Sequence, residues 1–174
     1  MYTASITVDQ VIEALADFIQ PFVGTAEIVR AQVNRTPMPF TPCVVLTELL
    51  QVDLETPSYI YGGLTEQMTS TGSQRIDVQI DFYGPSAGDQ CAAIKSIFRT
   101  PYATAQFPSG IKPLYCGDGI QSPLITGEEQ WQSRFTLTAS LQYNVSVTVP
   151  QQSATDAIVQ PVVQVDAVNY GNLP

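Results

Sequence analysis

Apolar residues first recur at helical spacing: Val8, Val11, Ile12, Leu15, Phe18 and Ile19 share one face, Thr7-Val8-Asp9-Gln10 reads as a capping box, and Pro21 is expected to end the helix. A short strand is expected over 29–33. The loop Asn34-Arg35-Thr36-Pro37-Met38-Pro39 follows, since neither proline can continue a ladder. Cys43-Val44-Val45-Leu46-Thr47 opens a second strand running toward Val52. Between Asp53 and Ser73 no period is clear, and Pro57, Gly62, Gly63 and Gly72 interrupt. A connection of that length belongs to a contact surface or lid, or is an extended hairpin. Its Tyr59-Ile60-Tyr61 is the kind of aromatic cluster that interfaces enrich.

Ile76, Val78, Ile80 and Phe82 then alternate with Asp77, Gln79, Asp81 and Tyr83, the clearest strand of the chain. Gly84-Pro85 breaks it, and Ser86-Ala87-Gly88-Asp89 offers a second helix start, with Cys91, Ile94, Ile97 and Phe98 as the buried stripe and Thr100-Pro101 as the stop. Residues 101–130 are turn-rich around a short strand at Ile111–Tyr115. Trp131 to Tyr143 is a long strand that runs on, bent, through Val149 to Pro150. After a polar spacer, Ile158 to Val168 is apolar again, with Val163, Val165 and Ala167 alternating with Gln164 and Asp166. The expected fold is α+β: a mixed, mostly antiparallel β-sheet flanked by two main helices (residues 1–149), with a C-terminal strand-forming arm (150–174).

Composition narrows the chemistry. Among 174 residues there are seven Lys+Arg, sixteen Asp+Glu and no His, a net charge of −9. Seven scattered cations do not make the basic face that phosphate binding requires. Without His, Ser-His-Asp and Cys-His catalysis and His-bearing zinc sites are excluded. Charged residues are only 13%, about half the usual share. Much of the polarity comes from seventeen Gln with many Ser and Thr, a composition reached by drift or by having large areas covered by other subunits. No apolar run is long enough for a membrane helix. Met1-Tyr2-Thr3-Ala4-Ser5 lacks the form of a secretory signal, so a cytosolic assembly compartment with reduced cysteines is expected.

Cys43 and Cys91 read as small buried hydrophobes, whereas Cys116, in Tyr115-Cys116-Gly117-Asp118-Gly119, falls in an expected turn open to solvent. That turn holds half of a calcium loop without its repeated acids. Asp77 and Asp81, four residues apart on one strand face, are about 14 Å apart, too far for a glycosidase pair. No catalytic residue, cofactor or metal is expected. On the first helix Asp9, Glu13 and Asp17 form a stripe, either a solvated acidic face, a surface for a cationic partner, or the wall of a lumen that an anion passes without sticking. Arg30 and Arg35, beside the Pro37/Pro39 loop, are either interface contacts or solvated side chains. Tyr59, Tyr61 and Trp131 offer a competing reading as stacking platforms of a carbohydrate- or small-ligand-binding module.

Several stretches taken in order resemble the neck or tail-terminator proteins of bacteriophages with contractile tails. They are Gln32-Val33-Asn34-Arg35-Thr36-Pro37-Met38-Pro39, Gln79-Ile80-Asp81-Phe82-Tyr83-Gly84-Pro85-Ser86-Ala87-Gly88-Asp89, Gly127-Glu128-Glu129-Gln130, Leu141-Gln142-Tyr143-Asn144 and Val147-Thr148-Val149-Pro150-Gln151. The resemblance implies a tail-terminator-like fold and a virion structural protein that forms a homohexameric ring at the head–tail joint. That ring would cap the tail tube and sheath and present a surface to the neck and connector; the alternative is an adjacent neck ring. The implied partners are other copies of the chain, tube, sheath and connector proteins, and genomic DNA passing through without specific binding, with no membrane. The implied location is the virion neck, reached from the host cytoplasm. The residues proposed for contacts between subunits are Arg30, Arg35, Pro37, Pro39, Tyr59, Ile60, Tyr61, Val159, Val163 and Val165, with Asp9, Glu13 and Asp17 toward the lumen.

Overall fold

The computed structural model describes residues 4–32, 42–122, 124–125 and 131–152. In chain order the elements are α1 (Val8–Val23), β1 (Glu27–Arg30), β2 (Cys43–Asp53), β3 (Ser58–Gly62), β4 (Gln67–Tyr83), α2 (Ala87–Ile97), α3 (Pro101–Gln106), β5 (Ile111–Cys116), β6 (Ile120–Gln121), β7 (Leu124–Ile125), β8 (Trp131–Gln132) and β9 (Arg134–Pro150).

The main sheet runs β1-β2-β4-β9-β5, with β3 added to β4 and β6 to β9. All of its pairings are antiparallel except β1 with β2. Its spine is the β4–β9 ladder, in unbroken register from Tyr83↔Arg134 to Gln67↔Pro150. Strand alternation gives the sheet two chemically different faces. Even-numbered residues of β4 (Ile76, Val78, Ile80, Phe82) and odd-numbered residues of β9 (Leu137, Ala139, Leu141, Tyr143) are buried beneath the helices. Phe18, Phe98 and Phe107, with ring centroids 5.2–6.3 Å apart, tie the three helical segments together.

On the other face the β4–β9 register pairs polar residues: Asp81 with Thr136, Asp77 with Ser140, Ser73 with Asn144, and Thr69 with Thr148. Each pair is joined by a side-chain hydrogen bond of 2.6–3.1 Å. Such cross-strand pairs are the unit of sheet stabilisation.

The α+β class, the capping box and the long final strand agree with the sequence reading. Thr7 N–H donates to Gln10 Oε1 (2.9 Å) and Gln10 N–H donates to Thr7 Oγ1 (3.3 Å). Other expectations are corrected. Pro21 lies inside α1 instead of ending it. It falls in the last turn, where burial of Val23 and the Phe18–Phe22 contact (5.6 Å) outweigh one missing N–H. Gly24, at φ +63°, then turns the chain, a conformation few side chains adopt.

The first strand is Glu27–Arg30, shorter and earlier than 29–33, and Val33 lies outside the described residues. Ser86 precedes α2 without a side-chain cap. Thr100-Pro101 does not merely stop that helix. It starts α3, with Thr100 Oγ1 accepting from Ala103 N–H and Pro101 at the first helical position. In the region without clear period, 53–73, the extended hairpin is the alternative that the structure takes, built from β3 and the first part of β4. The spine also crosses the expected 149/150 boundary: Pro150 opposes Gln67, and Gln151 N–H donates to the Glu66 carbonyl (2.8 Å).

Candidate assembly surfaces

The spine is longer than the helices that cover it. Past Gln74, β4 and β9 continue with β3 as a three-stranded extension. The register puts Tyr59 beside Ser70 and Val147, and Tyr61 beside Met68 and Val149. By strand parity these six residues continue the face that is buried under the helices further down. On the extension Tyr59 is 74% exposed, Tyr61 is exposed, and Met68, Val147 and Val149 are half-buried. The opposite side of the extension carries Thr69, Thr71, Ser146, Thr148 and the exposed Ile60. The aromatic triplet singled out in the sequence is therefore split: two tyrosines on the apolar face and the isoleucine between them on the other.

A polar belt marks where the covered sheet gives way to the extension. Tyr143 is fully buried, and its hydroxyl reaches Gln74 Oε1 at 2.7 Å and Gln51 Oε1 at 3.4 Å. Burial, with Glu48 and Asp53 nearby, pushes its phenol pKa up. Gln74 Nε2 donates to Asp53 Oδ1 at 2.9 Å. Arg30 extends the belt by bridging Asp9 on α1 and Glu48 on β2. Arg30, read as a contact between subunits, is thus already engaged within the chain.

The acidic stripe is divided as a result. Asp9 turns to Arg30, while Glu13 and Asp17 line an open groove of about 430 Å³ with Gln10, Gln106 and Ser109. Arg35, Pro37, Pro39, Val159, Val163 and Val165 lie outside the described residues.

At the other end of the spine, β7 and β8 form a small hairpin that pairs Ile125 with Trp131. Trp131 is 73% exposed, with Ile120, Leu124 and Ile125 exposed nearby in sequence. The spine from Ser70 to Tyr83 separates Tyr59 from this end by roughly 44 Å. Trp131 therefore does not share a site with Tyr59 and Tyr61, which lie together on the extension.

The three carboxylates weighed for chemistry, Asp77, Asp81 and Asp118, are occupied. Asp81, 3% exposed, accepts from Arg134 (3.0 and 3.2 Å), Thr136 (2.6 Å) and Gln79 (2.8 Å), and the Arg134 guanidinium lies over the Tyr83 ring. Asp77 accepts from Ser140 and lies 3.2 Å from Arg75. Asp118 accepts from Lys95 at 2.6 Å, and this bond holds its carboxyl below the ordinary range. Cys116, expected in an open turn, is the buried last residue of β5, and burial pushes its thiol up to about 12. Its neighbour Gly119 is packed so closely that a Cβ there would stand 2.6 Å from Cys91 Sγ. Among the described residues no group of three or more His, Cys, Asp or Glu is placed to hold a metal, and no helix is long and apolar enough to cross a membrane.

Among the described residues the conspicuous features are surfaces: an apolar sheet face that no helix covers, an exposed hairpin at the far end, and polar groups paired within the chain. No curated protein sequence matches the chain. A family profile does, described as phage neck terminator protein, over residues 9–167. The match takes in both helical and sheet elements from α1 to beyond β9, and on it the chain belongs to the phage neck terminator protein family, structural components of the virion.

Proposed function

We propose that the protein is the subunit of a homohexameric ring at the head–tail joint of a contractile-tailed phage. The ring caps the tail tube and sheath and offers its other side to the connector. It works by shape and not by catalysis, and it joins the tail after folding in the host cytoplasm. The observation that carries this reading is the uncovered continuation of the core face at Tyr59, Tyr61, Met68, Val147 and Val149 in a chain of this family. A single copy gains nothing from exposing such a face; a subunit that meets its neighbours head-to-tail uses it. Glu13 and Asp17 suit a lumen that DNA traverses without binding, and the net charge of −9 supports the same role.

Residues beyond Gln152 are the arm in this proposal. Because Pro150 and Gln151 belong to the spine, the informative truncation removes 153–174 and leaves the ladder whole. Sizing with mass detection is the direct test. The full chain is expected at about six times the 18.9 kDa subunit, or associated with tail tube when that is added, and the truncated chain is expected as a folded monomer. A full-length chain that stays monomeric even on tail tube would overturn the ring. A neck ring elsewhere in the joint would assemble without tube and fail to stop tube growth.

A further inference from the structure

The edges of the main sheet are not equally protected. Edge strands invite pairing with other chains, and proteins blunt them with charge, proline, bulges or shortness. At one edge β5 carries Lys112, Pro113 and a register shift between Pro113 and Tyr115. At the other, β1 is four residues long and bears Glu27 and Arg30. The free stretch of β9 past Ser146 is short and ends at Pro150. β6 is only two residues long, whereas β3, Ser58-Tyr59-Ile60-Tyr61-Gly62, runs five residues with no charge, no proline and an unshifted register. Among the described residues its outer side pairs with nothing, and it borders the uncovered apolar face.

We infer that this edge is the seat of residues 158–168 from a second copy of the chain, added to β3 as a further strand. The inference rests on the ring reading and names the contact that would join its subunits. The described chain ends at Gln152, leaving 22 residues, of which only Asp156 and Asp166 are charged. Two acidic copies repel least where they meet through uncharged segments. The exit is held on the β9 side of the tip: Gln151 N–H donates to Glu66, and Tyr61 Oη lies 3.5 Å from the Gln151 carbonyl. The strand direction there carries the chain out past the tip of the β3–β4 hairpin. Strand addition supplies main-chain hydrogen bonds, and the alternation supplies fit. Val163, Val165 and Ala167 fall on the side of Tyr59 and Tyr61, and Gln164 and Asp166 on the side of Ile60 and Thr69.

All three native thiols are buried, so introduced cysteines report alone. Full-length chains carrying Ile60→Cys are mixed with differently tagged chains carrying Val163→Cys, Gln164→Cys, Val165→Cys or Asp166→Cys, assembled and oxidised. The expected result is a disulfide between differently tagged chains at 164 and 166, at least about fivefold stronger than at 163 and 165, because facing residues alternate. Ile60→Lys, at a 76% exposed position, should keep its circular dichroism and lose at least about tenfold of the assembled fraction. A chain carrying both Ile60→Cys and Gln164→Cys that closes its disulfide within itself, with none forming between differently tagged chains, would overturn the second copy as occupant. Assembly without these disulfides, or undiminished by Ile60→Lys, would overturn the seat and leave the ring standing. If no assembly forms with or without tail tube, the ring reading falls and this inference with it.

Discussion

Strand β4 passes through two environments without a break in its register. From Ile76 to Phe82 its even-numbered side chains are buried under α1 and α2, and from Met68 to Ser70 the same side faces no helix. The lower half repeats large apolar residues at alternate positions, while the upper half reads Gln-Met-Thr-Ser-Thr-Gly-Ser. Both halves are equally regular sheet, so regularity here comes from the partner strand and the polar pairs behind it. What differs is where the stabilising free energy resides: in burial below, and in cross-strand hydrogen bonds above.

The sharpest way to break that comparison is to remove equal chemistry from each half. Leu137→Ala opens a cavity in the fully buried half and should cost about 2–5 kcal/mol, read as a lower urea midpoint. Val147→Ala, ten residues along the same strand and on the same face, should cost under about 1 kcal/mol. Similar losses at both positions would mean that the upper face is covered in the isolated chain.

The polar side of the lower half should come next in size. Asp81→Ala leaves Arg134 without its carboxylate on the polar face and removes acceptors from Thr136 and Gln79. Because Arg134 is 27% exposed, the expected loss is nearer about 2 kcal/mol than the larger figure for a wholly buried pair. Ser73→Ala, which removes a single exposed hydrogen bond to Asn144, should stay within about 0.5 kcal/mol by thermal unfolding.

The same contrast explains what was legible in the sequence. Ile76–Phe82 and Phe135–Tyr143 announced themselves because one of their faces is buried, and period two in hydropathy records burial. Ser58–Gly62 and Gln67–Ser73 did not, because a strand exposed on both faces carries no such alternation. Only the Thr, Tyr and Ile content of that stretch pointed to strand. The short helix α3 was masked by Pro101, read as a stop although proline is also a preferred first helical residue. Cys116 was placed in a turn by the glycines after it, yet the strand ends on it. Tyr59 and Tyr61 lie exposed at one end of the spine and Trp131 at the other, a separation set by strand register that no local pattern encodes.

Alkaline pH separates the halves without mutation. Cys43, Cys91 and Cys116 all lie in the covered half, and burial is the first cause raising each thiol pKa, Cys116 to about 12. Unfolded thiols ionise near 9, so above that pH the unfolded chain has released protons that the folded chain still holds. Stability is therefore fully present below about pH 9 and falls as pH rises toward 12, by up to about 1.4 kcal/mol per pH unit for Cys116. Urea midpoints at pH 8 and 10.5 should differ accordingly, and Cys116→Ala should flatten the slope even though it lowers the midpoint at pH 8. An unchanged slope in that variant would mean that another group sets the alkaline limit.

The smallest expected effect bears most on function. Tyr59→Ser removes a large ring from the uncovered face, and because that ring is 74% exposed in the single chain, its removal should change unfolding free energy by no more than about 0.5 kcal/mol. The same substitution should weaken association between copies, since an aromatic anchor buried on assembly typically contributes more than about 1 kcal/mol. Stability and assembly are thus expected to separate at Tyr59 and to move together at Leu137, where the variant loses its fold before it loses its partners. If Tyr59→Ser destabilised the monomer by 2 kcal/mol or more, the apolar face would belong to the chain's own core, and the extension would be a wall of the domain instead of a surface offered to a neighbour.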